Sequence, residues 1–525
     1  MTTPKSKPAT PCPTPAPNRH PARPTPDRGC APLTSRLARA LALLAALWMP
    51  LAATADELPN IVLIISDDQS FFDIAASGND ELHTPHLDRL TAEGTRFTHA
   101  YNMGSYSPAV CVASRSMLVT GQFLWHAQRI DRDQWADQGR YWPQLMREAG
   151  YHTSFAGKWH VPGANAQALF DLTRHIRPGM PNDFPEGYNR PIEGQPDPWS
   201  PSDPRWEGFW RGGTHWSEVL AEDAEHLLAA AAEAADEGRP FFSYLAFNAP
   251  HDPRQAPQED VDRYPQAEVR LPANFLPEYP YNEAMASGRR LRDERLAPFP
   301  RTDYSVRVHR SEYYAIITHM DRQIGRILEA IEATGQADNT YVFFTSDHGL
   351  AVGQHGLFGK QNMYDHSLRV PFIVRGPGIA AGKVIDTPIY LQDVMPTALE
   401  LAGVEIPETV HFNSLLPLLQ GTADAAGRAA APPYAAIYGA YLDRQRAVIV
   451  NGHKLILYPT ARRVRLYDLE TDPDETNDLA ADPDMRPRMT AMLAALRELQ
   501  EHTGDTLDLD QAFGDPDQWI TESES

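Results

Sequence analysis

NIVLIISDDQS, residues 60–70, is an unbroken apolar run of strand type that ends in two aspartates. A strand without polar alternation is buried on both faces, the condition of a largely parallel sheet covered by helices. Similar runs lie over 151–156, 241–247, 341–345 and 370–374. Helical patterns separate them. TPHLDRLTAEG offers Thr84 as N-cap, Pro85 in the first turn and Gly94 as the stop. Further helices are predicted over 141–149, 218–235, 311–333 and 391–402. Strands alternating with helices give an α/β domain with a large mixed, mostly parallel sheet. After an Ala-, Gly- and Pro-rich linker over 421–433, AVIVNGHKLILY reads as a hairpin turning at Asn451-Gly452. RVRLYDL adds a strand and 487–502 a closing helix, which together make a smaller C-terminal α+β module with an antiparallel sheet. No repeat of 20 to 50 residues interrupts this order.

The first 55 residues differ from the rest. Seven basic residues stand against one acid, Asp27, before the apolar run ALALLAALWMPLAA and the small-x-small triplet Ala53-Thr54-Ala55. This is the layout of a secretory signal peptide over 1–55, which implies a periplasmic or secreted protein. The expected division is then a catalytic domain over 56–425 and the α+β module over 430–525. The apolar run is short for a bilayer span, which takes about 20 residues, and no membrane span is expected elsewhere. Without the leader, 47 basic and 69 acidic residues become 40 and 68, a net charge of −28. Such a chain does not bind nucleic acid non-specifically, and an anionic substrate needs a local basic pocket.

The strands end in chemistry. IVLIIS runs into Asp67 and Asp68, YHTSFA into Lys158 and His160, FFSYLAF into His251, and YVFFTS into Asp347 and His348. Ligand sites of open α/β sheets form at the carboxyl ends of the strands. Taken singly, an Asp pair is commonly a turn and a lone His a structural residue. Together, three carboxylates and an imidazole on one edge call for a cation. Three acids favour a hard ion such as calcium, while His348 suits a transition metal better. Cys111 is the one cysteine outside the leader, in SPAVCVASRSMLVTG over 107–121. A helix starting there would present free N–H groups and partial positive charge. With Arg115, Lys158 and Lys360 it makes a seat for a tetrahedral oxyanion, a sulfate or phosphate ester.

NIVLIISDDQ, CVASRSMLVTG, GKWH, NAPHDP, TSDHG, HGLFGKQNMYDHSLRVPFIVRGPG and LYDLETDPDETNDLA, in this order, resemble the formylglycine-dependent (type I) sulfatases of the alkaline-phosphatase superfamily. The resemblance implies that a maturase oxidises Cys111 to formylglycine, whose hydrate attacks sulfur through one oxygen and expels sulfate through the other. It implies one divalent cation, usually calcium, held by Asp67, Asp68, Asp347, His348 and residue 111. Arg115 would support the hydrate, Lys158 and Lys360 would neutralise sulfate oxygens, and His160 would orient or deprotonate the hydrate. His251 would protonate the leaving alcohol or bind sulfate. The signature departs from Cys-x-Pro-x-Arg in Ala113, and His348 stands where Asn is common. His83, His126 and His355 are further candidates for the mouth.

The implied substrate is a sulfate ester. The irregular stretches 161–214 and 252–302, with Trp199, Trp206, Trp210 and Trp216 as candidate sugar platforms, point to a sulfated carbohydrate. A phosphodiester or phosphonate monoester hydrolase with the same aldehyde is the alternative, followed by a non-catalytic binder of sulfated glycans.

Overall fold

The computed structural model describes residues 57–179, 182, 184–421 and 431–513. The expected leader over 1–55, most of the linker and the last twelve residues lie outside them.

The run that opens the sequence is strand β1 (Asn60–Asp67), buried along its whole length. Its two faces feed different cores. Val62 and Ile64 pack with the long helices described below, and Ile61, Leu63 and Ile65 with the opposite layer around Trp142 and Met395. Burying such a side chain stabilises by about 1.5–3 kcal/mol, so an uninterrupted apolar run is what a strand covered on both sides requires.

The other strands are β2 (Thr95–Tyr101), β3 (Gly104–Ser105), β4 (His152–Lys158) and β5 (Leu172–Arg177). They continue with the small pair β6 (Trp210–Arg211) and β7 (Thr214–His215), then β8 (Phe241–Pro250), β9 (Thr340–Ser346) and β10 (Arg369–Arg375). The large sheet has nine strands in the order β11-β2-β10-β9-β1-β8-β4-β5, where β11 is Lys383–Ile385 and β12 (Ile389–Tyr390) pairs with β2. β9, β1, β8, β4 and β5 run parallel. β10 is antiparallel to both β9 and β2, so the sheet is mixed, mostly parallel. The four strands that end in chemistry are neighbours.

The longer helices are α1 (Pro85–Glu93), α2 (Val110–Thr120), α3 (Trp216–Asp236), α4 (Asp303–Ala333), α5 (Val394–Leu401) and α6 (Arg486–Thr503). α3 and α4 cover one face of the sheet. α4 begins at Asp303, eight residues before the expected start, because Thr302 and Ser305 form a capping box. Thr84, Pro85 and Gly94 fall at the N-cap, the first turn and the C-cap of α1, as expected. Thr84 makes no cap bond to the helix; its hydroxyl oxygen accepts Ala75 N–H at 2.9 Å and contacts Asp88 at 3.2 Å. Gly94 ends the helix in an extended conformation, and a Cβ there would meet the Val374 carbonyl oxygen at 2.4 Å, so close packing against β10 demands glycine.

The second sheet has the order β16-β15-β14-β13-β3, with β13 (Ile437–Tyr441), β14 (Gln445–Val450), β15 (His453–Tyr458) and β16 (Arg463–Asp468). Asn451 and Gly452, both at positive φ, turn the hairpin as expected. β3 comes from the N-terminal half, where it follows β2 and precedes α2. Among the described residues no helix is long and apolar enough to cross a membrane.

Candidate active site

Register brings the site together. Along β1, Ser66 pairs with Ser346 of β9 and Asp67 with Pro250 of β8. Asp67 and Asp68 therefore emerge beside Asp347 on one flank and His251 on the other. Asp68 takes positive φ, 70°, which a short polar side chain tolerates. The turn is held by Asp68 N–H donating to Asp347 Oδ1 at 3.3 Å and by the Tyr313 hydroxyl donating to the Asp68 carbonyl at 2.8 Å.

Cys111 lies in the first turn of α2, buried, with Sγ 3.3 Å from Asp67 Oδ1 and 3.6 Å from Asp68 Oδ1. Burial, with Asp347 and Asp68 nearby, pushes the thiol well above its usual pKa. Such a cysteine is a thiol at neutral pH and a poor nucleophile. Arg115, one turn on, is fully buried. Its Nε donates to Asp347 Oδ2 and its Nη1 to the Lys158 carbonyl, each at 2.7 Å. Lys158 pairs with Asp67, and Lys360 with Asp68; Lys360 Nζ also lies 3.1 Å from Cys111 Sγ. Burial works against both ammonium groups, but the carboxylates outweigh it and hold them charged.

Among the described residues, Asp67, Asp68, Cys111 and His251 offer ligand atoms all within 4.8 Å of one another. Burial raises Asp67, and raises Asp68 to about 8 against the pull of Lys360. Asp347 is different: despite burial, Arg115, Lys158 and Lys360 keep it below the usual carboxylate range. Two buried carboxylates, a thiol and an imidazole converging this closely fit the donor set of a divalent cation at this point.

His251 Nδ1–H donates to the Asp252 carbonyl at 2.7 Å, which leaves Nε2 as a lone pair 3.4 Å from Asp68 Oδ2. His348 does the same with the Gly349 carbonyl at 2.9 Å, but it is outside the group of four. Burial keeps both neutral, His348 with a pKa of about 4. His160 follows Lys158 at positive φ, 52°, with Nδ1 buried and without a hydrogen-bond partner. Burial, then Lys158, lowers it to about 3.

The structure thus brings Cys111, Asp67, Asp68, Lys158, Lys360 and His251 into direct contact, ties Arg115 to Asp347, and sets His160 and His348 on the adjoining strand ends. His83 is exposed, His126 packs against His411, and His355 stacks on Tyr364, so none of them joins this group. Trp199 is buried against Trp206, and Trp210 against His215.

Sequence reading missed the support. Arg292 clamps Asp252, which holds His251. Glu294 accepts N–H groups of Phe358 and Gly359, immediately before Lys360, and pairs with Arg301. Asp252 was visible inside NAPHDP, whereas Arg292 and Glu294 sit in an irregular stretch without periodicity.

The Sulfatase family matches residues 59–404, and the C-terminal family of N-sulphoglucosamine sulphohydrolase matches 353–502. The chain belongs to the sulfatase family. Curated relatives include the ulvan-active sulfatase of Formosa agariphila, 28% identical over 85% of this chain and 82% of that protein. The N-acetylglucosamine-6-O-sulfatase of Bacteroides thetaiotaomicron is 25% identical over 85% of this chain and 87% of its own. Two solved structures share the alkaline-phosphatase-like fold. One, in complex with its substrate D-glucosamine-2-N,6-O-disulfate, superposes with a TM-score of 0.67 at 23% identity, covering 85% of this chain and 98% of that one. The other, a phosphonate monoester hydrolase of Agrobacterium radiobacter, gives 0.65 at 19%, covering 85% and 96%. As a sulfatase, the protein is a sulfuric ester hydrolase.

Proposed function

We propose that this sulfatase is an exported enzyme that hydrolyses sulfate esters of saccharides, with Cys111 matured to formylglycine and one divalent cation, calcium, in the site. The observation that carries the reading is the position of Cys111. Its Sγ touches Asp67, Asp68 and Lys360, yet its environment suppresses the thiolate. A thiol so placed has no chemistry of its own, whereas an oxygen nucleophile on the same Cβ would face the sulfur of a bound ester. The saccharide follows the names of the relatives, an ulvan-active and an N-acetylglucosamine-6-O-sulfatase.

When present, the aldehyde hydrate supplies the attacking oxygen and the cation supplies fixed positive charge. The chain's own residues do the rest. Asp67 and Asp68, with Asp347 and His348, would hold the cation. Lys158 and Lys360 would neutralise sulfate oxygens, where preorganised donors lower the barrier. Arg115 fixes Asp347 and the end of β4. His160 Nδ1 is available to orient a hydroxyl proton. His251 is neutral without substrate; a bound sulfate favours its protonated form, which can then protonate the departing alcohol. The division into catalytic residues 56–425 and C-terminal residues 430–525 belongs to the same proposal.

The fold likeness to a phosphonate monoester hydrolase leaves that chemistry as the competing reading, because both esters present a tetrahedral anion. Protein co-expressed with a formylglycine-generating maturase is expected to show an aldehyde or its hydrate in the Cys111 peptide and to turn over 4-nitrophenyl sulfate. An unmodified thiol in active protein, or a preference for bis(4-nitrophenyl) phosphate, would overturn the proposal.

A further inference from the structure

The end of β5 carries a second concentration of positive charge. Arg177 is the register partner of Lys158, and its carbonyl accepts Trp159 N–H at 2.9 Å. Its guanidinium lies 3.7 Å over the ring of Trp216, the first residue of α3. Arg211, exposed at the end of β6, lies 5.4 Å from the same ring. Among the described residues neither arginine forms an ion pair, whereas Arg174 and His175, just before on β5, both engage Asp223. Arg177 Nη1 is buried without a hydrogen-bond partner. Burial, with Arg211 adding repulsion, lowers Arg177 to about 10. Asp223 lines the same pocket but is already engaged by Arg174 and His175, so in a chain of net charge −22 the two like charges have no carboxylate of their own.

The surroundings say what the pair is for. The pocket beside Arg177, lined also by Gly157, His175, Trp216, Asp223 and Asn248, has a volume of about 10 Å³, room for one water-sized group only, so an oxyanion would meet the pair from the side of the exposed Arg211. Two residues on, Gly179 abuts the His160 ring, where a Cβ would come within 2.9 Å, and its carbonyl accepts from Asn248 Nδ2 at 2.7 Å. The arginine pair therefore continues the wall that carries Lys158 and His160. The indole holds Arg177 flat, and a planar fork of N–H donors suits an oxyanion.

We propose that Arg177 and Arg211, on the Trp216 platform, form a second anion seat that takes a sulfate or carboxylate group of a saccharide unit other than the one being desulfated. The inference rests on the saccharide reading above and narrows it to polyanionic chains. In the full-length, matured enzyme, Arg177→Gln/Arg211→Gln is expected to turn over 4-nitrophenyl sulfate within about two-fold of wild type. The same variant should bind a sulfated dextran oligomer at least ten-fold more weakly by calorimetry, with a shallower salt dependence. An oligogalacturonate arm tells whether carboxylates also occupy the seat, and neutral dextran is expected not to bind. Unchanged affinity of the double variant for both anionic oligomers would overturn the proposal. Absence of 4-nitrophenyl sulfate turnover in wild type would instead count against the sulfate-ester reading, with the binding arm still reporting on the arginine pair.

Discussion

Arg115 Nε donates to Asp347 Oδ2 at 2.7 Å with both side chains fully buried, while the same guanidinium holds the Lys158 carbonyl. One side chain thus ties the end of β9 to the end of β4, across β1 and β8. A lysine at this position has one ammonium on a flexible stem and cannot make both contacts at these angles. Arg115→Lys is expected to lower kcat/KM for 4-nitrophenyl sulfate by about 100-fold or more, the scale of a lost electrostatic contact in a preorganised site. Steady-state kinetics on a variant of wild-type melting behaviour checks this, and near-normal kcat/KM would show that Asp347 is held without Arg115.

Lys360 bridges Asp68 and Cys111 from a buried position. Its removal leaves Asp68 beside Asp67 with less positive charge, and breaking a buried pair typically costs about 3–5 kcal/mol. Urea unfolding of chelator-treated Lys360→Met should show a loss of that order. Calcium should recover part of it, since the cation compensates the same carboxylates. If calcium stabilises the variant no more than wild type, the two charges are independent.

His319 gives a pH signature remote from the catalytic residues. It is buried beside His215, with Asp260 and Glu218 each 3.4 Å from its ring nitrogens, and burial lowers it to about 3. The unfolded chain takes up this proton near pH 6.5 and the folded chain does not, so unfolding binds a proton between about pH 6.5 and 3. Stability from this group is complete above pH 6.5 and is lost as pH falls through that window. His319→Gln should therefore lose less stability than wild type between pH 7 and 5, read as urea midpoints. A constant gap between the two would mean that His319 titrates alike folded and unfolded.

How much of this was legible follows from which interactions are local. The runs around Asp67, His251 and Asp347 announced themselves because strands buried on both faces need continuous apolar sequence, and their polar ends fall at the sheet edge by topology. The Cys111 helix was legible from its spacing to Arg115 and from Gly121, which takes the left-handed conformation at the end of α2. β3 was not legible: two residues pairing with β13 from a distant part of the chain carry no periodic signal. Nor was the Arg292–Asp252 clamp or the Glu294 support of Lys360, since each joins irregular segments through side-chain contacts alone. The ligand histidine was ambiguous for a related reason. Spacing placed His348 beside Asp347, but only the fold shows His251 reaching Asp68.

That ambiguity is testable by calcium binding. Both imidazoles donate Nδ1–H to a backbone carbonyl and keep Nε2 free, the arrangement that prepares a metal ligand. We expect His348→Ala to weaken calcium at least ten-fold by calorimetry. His251→Ala should leave calcium affinity nearly intact and lower kcat. The reverse pattern would move the metal-ligand role to His251, as the group of four in the structure allows. Asp68→Asn serves as the control that removes binding in either case.

Gly179 offers a test of His160 that leaves every charged group in place. A Cβ at residue 179 would sit 2.9 Å from His160 Cδ2 and Nε2, closer than real Cβ atoms approach. The clash falls on the outer edge of the imidazole, so the ring has to move to admit the methyl. Gly179→Ala therefore displaces the imidazole by a fraction of an ångström to an ångström, a shift that can cost about 100-fold in rate when the displaced group orients a reacting atom. The expected result is a fall in kcat of that order, with calcium affinity and urea midpoint close to wild type. If kcat is unchanged, His160 is a wall residue and the proton of the hydrate is handled elsewhere. If kcat falls together with the midpoint, the loop has been disrupted, and His160→Asn in a Gly179 background, which spares the loop, decides the role of the imidazole.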